Sequence, residues 1–173
     1  MKNIFKATTA FIFTVILFSC SDDFKGDIVQ DSISEIPVTF VGATTVGGNP
    51  YYDVAYSGGT GAFSIVLKIP DNAKLKIKEV TNVIAGSTAI NVASITASAS
   101  SQPQYLAAPA AVNGVTYTLS TSLTEFNTKV TTANKITSAP AAGTFAERAF
   151  MIKLTMDDGS LIIPVQVRIR VNP

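Results

Sequence analysis

The amino-acid sequence predicts an all-β fold, a sandwich of antiparallel sheets with one short helix. Three features lead to this prediction: apolar residues alternate with polar ones in short runs, turn residues separate the runs, and the chain closes in a hairpin pattern. Alternation with period two is typical of strands with one buried face, and regular turn signals between short strands are typical of sandwiches. Residues 36–173 have the length of a single domain with one core.

Each predicted strand is a run in which every second or third residue is apolar. In chain order, these apolar residues are Ile36, Val38 and Phe40; Tyr52, Val54 and Tyr56; Phe63, Ile65, Leu67 and Ile69; Leu75 and Ile77; Ile90, Val92 and Ile95; Val115, Tyr117 and Leu119. Turn residues lie between the runs, at residues 47–50, 58–61, 70–72 and 113–114. We therefore expect one face of each strand to be buried.

The C-terminal hairpin is the clearest structural signal. Residues 150–156 alternate up to the sequence Asp157-Asp158-Gly159-Ser160, and residues 163–171 alternate after it. Asp-Gly between two alternating runs is typical of a hairpin turn. Pro164 lacks a backbone N–H, so we expect a strand edge or a bulge there, with the proline on the outward face. A closing strand of this kind is typical of immunoglobulin-like sandwiches, and we predict that class.

One helix is predicted at residues 122–130. Ser122 and Glu125 have the spacing of a capping box, and Leu123, Phe126 and Val130 share one helical face. Several threonines in and after this segment favour a strand instead. Residues 98–112, rich in Ala, Ser and Pro, are predicted to form an irregular connection, and loops of this kind often carry binding residues.

Composition excludes several classes of function. The chain has 13 Lys+Arg, 12 Asp+Glu, one Cys and neither His nor Trp. Without His there is no Ser-His-Asp triad and no His-ligated metal or haem, and a single Cys excludes an intrachain disulfide. A net charge of +1 and a charged fraction of 14% disfavour nucleic acid as the partner. We expect no cofactor and no metal.

The other candidate sites each have a structural explanation that we favour. Residues 58–61 could cradle a phosphate, but a predicted strand follows them instead of a helix, so we predict a hairpin turn. Asp157 and Asp158 could bind Ca²⁺ or serve a hydrolase, but adjacent acids on a turn fit neither geometry well. Lys74, Lys76 and Lys78 could meet an anionic glycan or lipid, but such lysines more often protect an edge strand. The chain is therefore predicted not to be an enzyme.

Two tyrosines are the candidates for a ligand-contact surface. Tyr51 faces away from Tyr52 and Tyr56, so it lies on the solvent side if that pair is buried. Tyr105 lies in the predicted irregular connection. An exposed tyrosine can stack on a sugar or contact a protein partner, although it can also simply cover a sheet edge.

The N-terminus has the layout of a secretory signal. Lys2 and Lys6 precede an apolar run over residues 7–18, which ends in Leu17-Phe18-Ser19-Cys20. The run is too short to span a membrane, which takes about 20 residues. The last four residues resemble the lipobox of bacterial lipoproteins, and this resemblance implies cleavage before Cys20 and acylation of that cysteine. The alternative is a free cysteine at the end of an ordinary signal peptide.

A second resemblance follows directly. Ser21, Asp22, Asp23 and Phe24 resemble the acidic export signal that sends lipoproteins of the Bacteroidota to the outer face of the outer membrane, although Lys25 stands where that pattern prefers an acid. From residue 21 to 35 there are five acids and one Lys, a net charge of −4, which is typical of a solvated tether. We therefore divide the chain into a signal peptide (1–19), an acylated cysteine with an acidic tether (20–35) and one domain (36–173).

These resemblances imply an outer-membrane lipoprotein, held in the lipid bilayer through Cys20 and exposed to the cell exterior. The leading expectation is a non-enzymatic binding or accessory module, working beside an outer-membrane nutrient transporter and capturing glycan or peptide. The alternative is a structural or adhesive envelope protein, which the Ser/Thr/Ala-rich, Trp-free composition favours.

Overall fold

The computed structural model describes residues 36–97 and 102–173. Within these ranges, ten strands and two short α-helices are present. The strands are β1 (Thr39–Phe40), β2 (Thr44–Val46), β3 (Asn49–Ala55), β4 (Ala62–Lys68), β5 (Ile77–Gly86), β6 (Ala110–Gly114), β7 (Thr116–Ser122), β8 (Ala146–Met156), β9 (Leu161–Ile162) and β10 (Val167–Asn172). The helices are α1 (Val92–Thr96) and α2 (Leu123–Lys129).

The described strands form an all-β sandwich, as the sequence predicts. One sheet has the order β1-β4-β7, and the other has the order β2-β3-β10-β8-β5-β6, with β9 added beside β8. All pairs are antiparallel except β3 and β10, which run parallel over five registered residue pairs. The parallel pair joins the early part of the domain to its last strand.

The core lies between the two sheets and is centred on an aromatic cluster. Phe150 of β8 makes edge-on contacts with Phe63 and Tyr105, at centroid distances of 6.0 and 5.1 Å, and a tilted contact with Phe126 of α2 at 5.7 Å. Tyr52 links the sheets, because its hydroxyl accepts from the backbone N–H of Val66 in β4. With Tyr52 turned inward, the neighbouring residue of β3 faces the outer side of its sheet.

A second, smaller cluster covers part of the outer face of the larger sheet. Ile90 and Ile95 pack there against Ile84 of β5 and against Ala149 and Met151 of β8. Both faces of β5 and β8 are therefore buried over part of their length. Such strands have continuous apolar runs in place of alternation.

The segment predicted as a strand around Ile90, Val92 and Ile95 is helix α1, so that prediction is wrong. Asn91 Oδ1 accepts from the N–H of Ser94, and Ser94 Oγ accepts from the N–H of Asn91, which completes a capping box. Local capping thus outweighs the apolar spacing.

The predicted helix at residues 122–130 is confirmed as α2. The Ser122 side chain caps it by accepting from the N–H of Glu125. The Glu125 carboxylate accepts from Lys129 and from Thr121 Oγ1.

The C-terminal hairpin is confirmed, with one correction. Gly159 adopts a positive φ of 87° in the turn, and β8 pairs with β9 directly after it. The strand is interrupted at residues 163–166 before β10 begins, which agrees with the bulge expected at Pro164. Pro164 itself is buried, so its predicted outward placement is wrong.

One turn, the lysine stripe and one loop differ from their predicted roles. Residues 58–61 connect β3 to β4, which lie in different sheets, so this turn is a crossover and not a hairpin. Of the lysine stripe, Lys78 alone lies in β5, because Lys74 and Lys76 precede the strand and Lys76 Nζ donates to the carbonyl of Asp71. The predicted irregular connection contains β6 at its end.

Candidate contact surface

Tyr51 lies on the outer face of the larger sheet, under an arginine. The guanidinium carbon of Arg170 is 3.8 Å from the centroid of the Tyr51 ring and 4.6 Å from that of Phe145. Arg170 thus contacts both aromatic rings, an arrangement that stabilises the cation through the ring quadrupoles. We call Tyr51, Phe145 and Arg170 the Arg170 stack.

Strand register brings the stack together. In the parallel pair, Tyr51 of β3 is opposite Arg168 of β10, and on the other side of β10, Arg170 is opposite Glu147 of β8. Residues two apart on a strand share a face, so all of these side chains lie on the outer face of the sheet. The residues around the Arg170 stack are therefore brought together by three strands, β3, β10 and β8.

Glu147 holds both arginines. Its Oε1 accepts from Arg170 Nε at 2.9 Å, and its Oε2 accepts from Arg168 Nη1 at 2.9 Å. The three side chains are about one-fifth exposed, at 19% for Arg170, 23% for Arg168 and 20% for Glu147. The hydrogen bond to Glu147 raises the pKa of Arg170, so the guanidinium stays charged. Glu147 therefore fixes the orientation of both guanidinium groups.

Phe145 provides the exposed aromatic surface of the stack. Phe145 is 50% exposed. Tyr51 is less exposed, and Arg170 covers the Tyr51 ring. The sequence analysis named Tyr51, which the structure places on the outer face, but it did not name Phe145 or Arg170. A signal was present, because Arg168 and Arg170 alternate with buried Val167 and Ile169 and so had to face outward.

Tyr105 is part of the core, so its prediction as a contact residue is wrong. It is 1% exposed. Its backbone N–H donates to the carbonyl of Val83, and this contact draws the loop against β5 and turns the ring inward. Burial raises the pKa of Tyr105 to about 12. A ligand therefore cannot contact the Tyr105 ring.

The Tyr105 hydroxyl begins a chain of polar contacts that leads to the surface. It lies 2.5 Å from Thr121 Oγ1, and Thr121 Oγ1 donates to Glu125 Oε2 at 2.9 Å. Because Thr121 uses its proton on Glu125, Tyr105 is the donor to Thr121. Lys129 Nζ completes the chain at 2.6 Å from Glu125 Oε1.

The acidic turn and the glycine turn have structural roles. Asp158 Oδ1 accepts from the N–H and the hydroxyl of Ser160, which stabilises the hairpin turn, and the hydrogen bond from the Ser160 hydroxyl is the main cause that lowers the pKa of Asp158. Gly61 ends the crossover turn, where an added Cβ would lie 1.9 Å from the carbonyl oxygen of Ala55. Among the described residues, no group of three or more Asp, Glu, His or Cys side chains could hold a metal ion.

The predicted lipidation site, Cys20, and the predicted export residues, Ser21, Asp22, Asp23 and Phe24, lie outside the described residues. Among the described segments, no helix is long and apolar enough to cross a membrane. Comparisons with protein-family models, with curated proteins and with solved structures find no match.

Proposed function

We propose that this chain is a non-enzymatic binding or accessory module of the outer membrane. The observation that supports a binding role is the Arg170 stack, in which Glu147 and two rings hold a guanidinium in one orientation beside exposed Phe145. Tyrosine and arginine dominate the energetics of many protein interfaces, and a pre-ordered side chain loses little entropy on binding. The stack is thus suited to contact a partner.

The proposed address is the exterior face of the outer membrane, with Cys20 acylated. The lipobox and export-signal resemblances of residues 17–24 support it. The proposed partner is an outer-membrane transporter that takes up a nutrient such as a glycan. Strand order supports the proposed immunoglobulin-like class. In one sheet β4 pairs with β7, as strands B and E do in that class, and in the other sheet β8 lies between β5 and β10, as strand F lies between strands C and G.

Photocrosslinking in intact cells tests the contact role of the stack. A photoreactive phenylalanine replaces Phe145 in one variant and Leu161 in the control. These residues are 50% and 61% exposed, and Leu161 lies in β9 opposite Thr155, at the other end of β8 from the stack. We expect an outer-membrane transporter to be recovered in fixed ratio from position 145 and not from position 161. Equal recovery from both positions, or recovery of the chain alone, would contradict an accessory role for this surface.

The membrane address has its own tests. Cys20→Ala should abolish acyl labelling and release the protein from membranes or block its maturation, because the proposed anchor depends on one thiol. Replacing Asp22, Asp23 and Phe24 together by Ala should lower protease accessibility on intact cells while membrane association persists. Continued acylation of the first variant would refute the anchor, and unchanged accessibility of the second would refute the export signal.

A structural or adhesive role is the second candidate, and strand β7 favours it. β7 is an edge strand seven residues long, it carries no charged residue, and its outward residues include exposed Thr116, Thr118 and Ser120. Edge strands without charge or proline are open to pairing with another chain. If the chain self-associates through this edge, Thr118→Lys should convert dimers to monomers in light scattering. A protein that is monomeric without this change would remove the argument for self-association.

A further inference from the structure

A cleft lies at the end of the sandwich between the segment after α2 and the start of β8. Its volume is about 340 Å³, and its lining includes Lys135, Thr137, Ser138, Phe145 and Arg148. We call it the Arg148 cleft. Its size matches the lower end of small-molecule sites, and its hydroxyl groups and cations are suited to a polar ligand.

The wall of the cleft that contains Ile136 is held in place by hydrogen bonds. Ile136 is buried, and the Asn127 side chain donates to its backbone carbonyl and accepts from its N–H, both at 2.8 Å. The other wall is β8, which is hydrogen-bonded to β10 at Arg148. Both walls are thus held by contacts outside the cleft, so binding requires little ordering of the chain.

Arg148 is a cation without an anion. Its Nε donates to the carbonyl of Asn134 at 2.7 Å, its Nη1 to the carbonyl of Glu147 at 2.8 Å and its Nη2 to the carbonyl of Lys135 at 3.4 Å. Within residues 36–97 and 102–173 it makes no ion pair, and neither does Lys135. Burial lowers the pKa of Arg148, because the guanidinium has lost part of its hydration.

The remaining donors match a carboxylate. Three of the five guanidinium N–H groups have carbonyl partners, which leaves one on each terminal nitrogen. No lining residue of the cleft is acidic. Carboxylates form strong, paired hydrogen bonds with guanidinium groups, while the exposed hydroxyls of Thr137 and Ser138 can bind the hydroxyl groups of a ligand. Exposed Phe145 adds an aromatic surface on which a sugar ring can stack.

We propose that the Arg148 cleft binds a carboxylated sugar, with the carboxylate on Arg148 and Lys135 and the ring hydroxyls on Thr137 and Ser138. This inference rests on the proposed binding role and names the chemistry of a ligand for that role. The cations select the acid, and the hydroxyl groups select a sugar over a simple carboxylate.

Calorimetric titration of the full chain in detergent tests the proposal with four probes. Glucuronate is the expected ligand, glucose lacks the carboxylate, acetate lacks the ring, and tetraglutamate represents an acidic peptide. We expect glucuronate to bind at least about tenfold more tightly than each of the others, and more weakly at high salt because screening reduces the charge attraction. Equal affinity for glucose would overturn the anion site, and equal or tighter binding of acetate or tetraglutamate would overturn the sugar assignment.

Variants locate the binding to the cleft. Lys135→Gln should weaken glucuronate binding about two- to fivefold, because one partly solvated cation is lost. Arg148→Lys should weaken it about tenfold or more, because a lysine cannot form the paired contact. Lys78→Gln is the matched control and should leave affinity unchanged, since Lys78 lies near the opposite end of β8, roughly 25 Å away. Unchanged affinity in Lys135→Gln and Arg148→Lys would overturn the assignment.

Different results would contradict the accessory role and the ligand assignment. If the Phe145 crosslink recovers a transporter but glucuronate does not bind, the ligand assignment is overturned and the accessory role stands. If glucuronate binds and the crosslink recovers nothing, the cleft assignment stands and the transporter role is overturned.

Discussion

At the scale of single residues, the Tyr105 hydroxyl joins the core to the charged pair of α2. Its neighbours are Thr121, Glu125 and Lys129, and Lys129 Nζ also lies 4.7 Å from the centroid of the Tyr105 ring. A buried hydroxyl that lacked a partner would destabilise the fold, so this chain of contacts permits a tyrosine where a phenylalanine would otherwise fit.

Removing that hydroxyl should lower stability measurably. For Tyr105→Phe we expect the free energy of unfolding to fall by about 1 kcal/mol, because a buried hydrogen bond is lost while the ring contacts remain. Tyr117→Phe is the control, since Tyr117 is half-buried and its hydroxyl has no hydrogen-bond partner among the described residues. Urea denaturation measures both variants, and an equal loss in the two would show that the contact with Thr121 contributes nothing specific.

Glu125 should make stability depend on acid pH. The hydrogen bond from Lys129, and then the one from Thr121, lowers the pKa of Glu125 below its ordinary value of 4.5. A lowered carboxylate pKa stabilises the fold above the unfolded value, and this contribution is lost as pH falls below 4.5 through the folded value. The Glu125 side chain is 41% exposed, so we expect less than about 1 kcal/mol.

The variant Glu125→Gln isolates this contribution. It should be less stable than the natural chain at pH 7, and the difference should shrink at pH 3, where Glu125 gains a proton. Denaturation at both pH values provides the measurement. A difference that persists undiminished at pH 3 would attribute the effect of the substitution to packing instead of charge.

At the scale of elements, the crossover turn between β3 and β4 depends on one close backbone approach. The backbone of Gly61 lies so near Ala55 that any side chain at this position would collide with a carbonyl oxygen. The same residue accepts a hydrogen bond from the N–H of Leu123 at 2.8 Å, so the turn also fixes the start of α2. Glycine is therefore required for steric reasons.

Gly61→Ala should destabilise the domain by more than about 2 kcal/mol, because the backbone must shift to accommodate the methyl group. Gly114→Ala is the matched control. An added Cβ there meets only the carbonyl oxygen of Val112, at 3.7 Å, and we expect a change within about 0.5 kcal/mol. Thermal unfolding of the two variants tests this contrast, and similar melting temperatures would contradict it.

At the scale of the whole molecule, the larger sheet combines a protected centre with an exposed edge. β5 and β8 have buried residues on both faces and neighbours on both sides, whereas every residue of β2 is exposed. Amide hydrogen exchange should therefore be slowest in β5 and β8 and fastest in β2. Exchange measured by NMR or mass spectrometry gives the order, and equal protection of β2 and β8 would contradict a centre-to-edge gradient.

The sequence predicted the elements whose signals are local. β3, β4 and β7 alternate because one face of each is largely solvated, and the end of β8 alternates between buried and partly exposed residues. α2 carries a cap in its own residues. The second half of β5 escaped prediction because Val83, Ile84 and Ala85 are all buried, which removes the alternation. Helix α1 was mistaken for a strand because its apolar spacing fits both elements.

The contact surface was harder to predict because it depends on pairing distant in sequence. Asn172 donates to Asp53 across 119 residues, in the same parallel pair that brings Arg170 over Tyr51. Sequence alternation placed Tyr51 on the outer face, but it carries no information on which strand lies beside it. The prediction for Tyr105 failed for the same reason, since β5, which holds its loop inward through Val83, lies about twenty residues earlier in the chain.

The parallel pairing of β3 and β10 also determines how the domain responds to tension. In a parallel pair, the N-terminal end of one strand and the C-terminal end of the other point in opposite directions. A force applied between the N-terminal end of β3 and the C-terminal end of β10 therefore slides β3 along β10, and the hydrogen bonds of five registered pairs bear the force together. In an antiparallel pair pulled at adjacent ends, the hydrogen bonds would break one after another. The β3–β10 pair is thus arranged to resist stretching between these two points.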